Sequence, residues 1–91
     1  MKSILQTRKV CYLCGRQTGL EEHHIFGGVA NRKISEKYGL KVWLCHECHT
    51  GTDGAQYDPL KNRRLKMDAQ FAFETDHSRA EWMRIIGKNY L

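Results

Sequence analysis

With one proline, no low-complexity tract and no internal repeat, this 91-residue chain has nothing that divides it, and it reads as a single domain. No apolar run approaches the ~20 residues of a bilayer-spanning helix, which excludes a chain that crosses a membrane in that way. Met1–Val10 is mixed polar and basic and lacks the continuous apolar stretch of a secretory signal. The expectation is a reducing, cytoplasmic setting, in which four cysteines do not serve as disulfide staples. Acid is the scarcer charge: ten Asp and Glu against fifteen Lys and Arg give +5 and a pI near 9.2. That balance leans towards a polyanionic partner. A hydrophobic share of 41% is ordinary for a globular chain. At this length the core is modest, and small cores often need a metal or crosslinks.

What is present points to a small α+β fold. Leu20–Phe26 (LEEHHIF) reads as a strand followed by the turn-prone Gly27-Gly28. Asn31 is expected to cap a short helix over Arg32–Tyr38, with Ile34 and Tyr38 one turn apart and Gly39 ending it. Lys41–Leu44 (KVWL) reads as a second short strand. Asp58-Pro59 is a cap followed by a first-turn proline, and Leu60, Met67 and Phe71 then share a helical face. Ser78 and Glu81 form an S-x-x-E capping box ahead of Trp82, Ile85 and Ile86, with Gly87 as the stop. Tyr38, Trp43, Phe71, Phe73 and Trp82 are expected in the core, since few other large residues can fill it.

The cysteines fall in two CxxC pairs, Cys11/Cys14 and Cys45/Cys48. A two-residue gap lets both sulfurs of a pair face one ion, and two pairs supply the tetrahedral thiolate shell of structural zinc. Such a shell has no open position, so this ion is expected to hold the fold and do no chemistry. A redox dithiol would need only one CxxC. Simple zinc ribbons place roughly 15–20 residues between the pairs. Here 30 intervene, and they contain His23-His24.

Neighbouring strand residues point to opposite faces, but a bulged or bent strand brings both to one cleft. His49 directly follows Cys48, so a metal-held knuckle fixes where its backbone starts. If His23, His24 and His49 converge, one imidazole can serve as a general base and others as ligands of a second, catalytic ion. A His-His pair is also common in plain surface or core packing. His46, inside the second CxxC, is expected to face solvent or tune the thiolates, and His77 to lead into the last helix.

CYLCGR, LEEHHIF and VWLCHECHTG together resemble the HNH nuclease family, the ββα-metal fold, in its four-cysteine zinc-containing form. GGVANRKISEKYGLKVWLC and the ending EWMRIIGKNYL resemble small phage-encoded HNH nucleases, including those of the recombination-enhancement kind. The motif covers residues 11–54, and two C-terminal helices occupy 55–91. The resemblance implies a nuclease that cuts DNA phosphodiesters with one divalent metal and leaves 5′ phosphates, in a bacterial cytoplasm if phage-encoded. It implies His23 and His49 as metal ligands, His24 as the general base, and Asp53 as a further ligand with Gln56 in reserve. The family's middle asparagine falls near Leu40, so Asn31 or a backbone carbonyl would have to steady His24 instead.

Imidazole ligands suit manganese, nickel, cobalt or zinc, whereas magnesium prefers oxygen. Arg16, Arg32, Lys33, Lys37 and Lys41 flank the expected cleft in sequence, and Lys61, Arg63, Arg64 and Lys66 follow in the long helix. As a set they are expected to contact phosphate without reading sequence. Two rivals stand beside the nuclease: a non-catalytic zinc-knuckle module binding nucleic acid or protein, and a phage scaffold or inhibitor using Trp82–Leu91 as its interface.

Overall fold

The computed structural model describes residues 2–52 and 54–91. Its element order is β1 (Leu20–His24), α1 (Val29–Tyr38), β2 (Lys41–Cys45), α2 (His46–His49), α3 (Pro59–Asp76) and α4 (Arg79–Ile85). This is a small α+β molecule with a two-stranded antiparallel sheet and four helices among the described residues. No helix is long and apolar enough to cross a membrane among the described residues.

β1 and β2 pair without a bulge, Leu20 opposite Cys45 through to His24 opposite Lys41. The strand expected to reach Phe26 stops at His24, because Ser35 captures the next backbone. The Ser35 hydroxyl accepts from Phe26 N at 3.2 Å and donates to Phe26 O at 2.9 Å. Helix α1 begins at Val29, earlier than an Asn31 cap would allow, with Gly28 as N-cap and no side-chain cap. Its first turn closes from Arg32 N to Gly28 O, leaving Asn31 exposed inside the helix. Gly39 ends α1 as expected, in the left-handed region at φ 70. A Cβ there would also meet the N-terminal backbone at 3.2 Å, where Ile4 N donates to Gly39 O.

Val42 and Leu44 are fully buried and meet Leu65, Ala69 and Phe73 of α3 and Trp82 of α4 in one cluster. Trp82 sits edge-on to Phe26, centroids 5.5 Å apart, and tilted against Phe73 at 5.4 Å. The face of α3 formed by Leu60, Met67 and Phe71 is not the buried one. Leu60 is 79% and Phe71 70% exposed, while Leu65, Ala69, Gln70 and Phe73 face inward. Ala69 is small enough to let α3 approach closely, a cue the larger apolar stripe masks. Phe71 therefore leaves the expected core set, and so does Trp43, which is half-buried and lies outside the cluster.

Both helix starts in the last third form as read. The Asp58 carboxylate accepts from Leu60 N and Lys61 N, and Ser78 and Glu81 close the capping box. The first knuckle is tied to α3 by Tyr12, whose hydroxyl donates to Asp68 at 2.8 Å.

Candidate functional site

The four cysteines come together although 31 positions separate Cys14 from Cys45. Their sulfurs all lie within 4.8 Å of one another, a group able to hold a metal ion. Cys14 Sγ and Cys45 Sγ are 3.6 Å apart. That is close to the ~3.8 Å edge of a tetrahedron with metal–sulfur bonds of ~2.3 Å. Cys45 reaches the site because β2 ends there. Cys11 arrives through a turn held by Gly15 N to Cys11 O and Cys11 N to Arg16 O. Burial raises the Cys11 thiol, but backbone hydrogen bonds from Cys45, Cys14 and Leu13 outweigh it and bring it to about 6. Burial and its sulfur neighbours push Cys48 far up. Thiolates crowd one another here without a cation, and a divalent ion removes that conflict.

His49 is the last residue of α2, one position after Cys48, and stands over the end of β1. The rings of His23 and His49 meet edge to face, centroids 5.0 Å apart. His23 Nε2 is buried with no hydrogen-bond partner among the described residues. An orphaned buried nitrogen is costly, and a metal is one partner that relieves it. Burial, then the charges of His49, His24 and Lys66, lowers the His23 imidazole to about 4, so it stays neutral with its lone pair free near pH 7. His49 Nδ1 donates to Glu21 Oε1 at 2.8 Å. A carboxylate there fixes the Nδ1–H tautomer and leaves Nε2 for a ligand. Sequence reasoning missed Glu21, although its place two residues before His23 puts it on the same strand face.

His24 leaves β1 on the opposite face, yet it lines the same open cleft of ≈ 600 Å³ as His23 and His49. No bulge is needed, because the cleft lies past the strand end, where Ile25, Gly27 and Gly28 turn away. His24 Nε2 lies 2.9 Å from Glu36 Oε1 on α1. Glu36 Oε2 accepts from Lys41 Nζ at 2.7 Å, and Lys41 reaches Glu22 Oε1 at 3.3 Å. Lys41, then His24, holds the Glu36 carboxyl down at about 2. Among the described residues neither Asn31 nor a backbone carbonyl holds the His24 ring; Glu36 does. The ligand atoms of Glu22, His24 and Glu36 also fall within 4.8 Å of one another. The Lys41 ammonium already bridges the two carboxylates there and answers their charge.

The expected phosphate-binding set divides. Arg32 lines the histidine cleft. Lys33 and Lys37 flank a separate shallow surface on α1, and Arg16 is exposed beside the first knuckle. Lys41 is a correction: it is 5% exposed and committed to Glu36 of α1 and Glu22 of β1, as a buried lysine between two carboxylates must be. Lys66 and Asn62 of α3 complete the cleft wall, with Gln56. Asp53 lies outside the described residues. The chain after α2 folds back tightly, since a Cβ on Gly54 would meet the His49 backbone at 2.7–2.8 Å. His46 is largely exposed, and His77 stacks on Phe73 at the end of α3. Trp82 is fully buried and cannot belong to an exposed interface. No protein-family model, curated protein or solved structure matches this chain.

Proposed function

We propose that the chain is a metal-dependent endonuclease of the HNH kind, hydrolysing DNA phosphodiesters with little sequence preference. The observation that carries this reading is the meeting of His23, His24 and His49 in one cleft, with His23 Nε2 buried and unpartnered. Cys11, Cys14, Cys45 and Cys48 would hold structural zinc, the ion that best matches four thiolates in a closed shell. His23 and His49 would hold the catalytic divalent ion. When bound, that ion supplies positive charge to the phosphate and the departing 3′ oxygen.

The chain's own residues do the rest. Neutral His24 must donate Nε2–H to the Glu36 carboxylate, because a carboxylate only accepts. That leaves Nδ1 with the lone pair, able to take a proton from water beside the phosphate. Glu21 orients His49, and Arg32 and Lys66 attract the polyanion.

Incubating supercoiled plasmid with zinc-loaded protein and manganese tests the reading. Nicked or linear product is expected from the wild type, and a loss of about 100-fold or more from His24→Ala. Manganese or nickel should support more activity than magnesium. Cleavage by His24→Ala at the wild-type rate would leave a non-catalytic zinc-knuckle module as the better reading.

A further inference from the structure

The histidine cleft does not end at Lys66. Gln56, Asn62 and Lys66 also wall an adjoining hollow of ≈ 360 Å³ between the first turns of α3 and the C-terminal tail. Its far side is formed by Tyr57, Arg63, Lys88 and Tyr90. The cations of α3 sort by face. Lys61 and Arg64 reach carboxylates, Asp58 at 4.0 Å and Asp68 at 3.7 Å. Arg63 and Lys66, which face the hollow, pair with no carboxylate among the described residues, and neither does Lys88. Asp58 is the acid on this wall, and its carboxylate is occupied in capping α3.

The tail that carries Lys88 and Tyr90 has no regular structure, yet two fully buried side chains fasten it. Gln70 Oε1 accepts from Tyr90 N at 2.6 Å, and Trp82 Nε1 donates to Lys88 O at 2.8 Å. This wall is built. Tyr90 stands with Lys66 Nζ 5.7 Å and Lys88 Nζ 5.3 Å from its ring centre, which keeps both ammonium groups close to this wall. Tyr57 is 63% exposed at the rim. A large aromatic left open beside unpaired cations is the pairing that single-strand binders use, phosphates on the cations and bases on the rings.

We infer that this hollow continues the substrate path, holding one unpaired DNA strand with phosphates on Arg63, Lys66 and Lys88 and a base against Tyr57. The inference deepens the proposed nuclease function and rests on it for the position of the scissile bond. Fluorescence anisotropy of a labelled oligothymidylate tests it, with every chain in the His24→Ala background so that nothing is cut. Arg63→Gln/Lys88→Gln should lower the slope of log K against log salt by ~1.4, from two contacts at ~0.7 each on a single strand. The charge-matched pair Lys2→Gln/Arg84→Gln should leave that slope unchanged. Tyr57→Ala should weaken the single strand at least about fivefold and leave a blunt duplex unaffected, since paired bases cannot stack on it.

Equal losses in the two double variants, or none in either, would overturn the inference, as would wild-type preference for duplex. Far-ultraviolet spectra and zinc content, matched to the parent, guard against misfolding. Hydrolysis of bis(p-nitrophenyl) phosphate by the chains with His24 restored separates this idea from the nuclease reading, because so small a diester needs the cleft alone. A chain that binds the strand through Arg63 and Lys88 but hydrolyses neither substrate keeps the groove and loses the nuclease. One that hydrolyses the diester with no groove effect does the reverse.

Discussion

His24 owes its orientation to a residue twelve positions away on another element. Glu36 sits on α1 and meets His24 only because α1 packs beside β1 and Lys41 clamps the carboxylate from β2. An imidazole held this way keeps one tautomer, so under the proposed function removing the carboxylate should slow proton transfer without touching metal or substrate affinity. Glu36→Gln is expected to lower kcat at least about tenfold with KM little changed, and Glu36→Asp to recover part of the loss. A proportional rise in KM instead would assign Glu36 to substrate binding. The same carboxylate makes an acid-stability prediction. Its folded value, about 2, lies below the ordinary 4.5, so the native state binds fewer protons than the unfolded chain between those values. Its stabilisation is therefore present above pH ~4.5 and fades as pH falls towards 2. Chemical denaturation at stepped pH should show the gap between wild type and Glu36→Gln closing over that window. Acid also releases a thiolate-bound metal from both chains, so the comparison is made only at pH values where both still unfold cooperatively. At this scale the sequence exposed the ligand types and hid their partners. CxxC spacing and the His23-His24 doublet are local patterns. Glu21 and Glu36 look like any surface acid until strand pairing and α1 packing bring them to an imidazole.

Among the elements, α3 separates what can be read along a helix from what cannot. Its start was legible, since Asp58-Pro59 needs only local geometry. Its buried face was not. Leu60, Met67 and Phe71 form an apolar stripe along the helix, yet the core takes Leu65, Ala69, Gln70 and Phe73, on the opposite side. Close packing favours the small Ala69, and Gln70 is admitted because Glu74, Asn89 and Tyr90 satisfy its amide. The strands were legible in place but not in length, because Ser35 ends β1 by a contact that no periodicity records. Urea unfolding of the zinc-loaded protein separates the two faces of α3. Leu65→Ala should cost about 2–5 kcal/mol, while Phe71→Gln should stay within about 0.5 kcal/mol of wild type. If Phe71→Gln proved the costlier change, the packing of α3 described above would be wrong.

Over the whole molecule, two CxxC pairs do the joining that a core of this size cannot. The cluster of Val42, Leu44, Leu65, Phe73 and Trp82 lies on the helix side of the sheet, and the first knuckle is fastened to the rest chiefly near its own sulfurs and at Tyr12. A domain of this kind is stable by only about 5–15 kcal/mol. A four-thiolate zinc site is worth about 10–16 kcal/mol in small peptides, so most or all of that margin can come from the ion. Chelation should therefore abolish the cooperative thermal transition, and Cys45→Ser should do so without a chelator, as its sulfur is 99% buried at the end of β2. The histidine cleft should be lost in the same step. His49 is the next residue after Cys48, so the knuckle sets where α2 starts, and the Glu21 contact then holds His49 across β1 beside His23. Returning zinc to the apo chain should restore the transition and the manganese-dependent activity at one stoichiometry. An apo protein that kept its sharp melt would mean that the apolar cluster holds the fold alone, and that the cysteines serve some end other than placing His49.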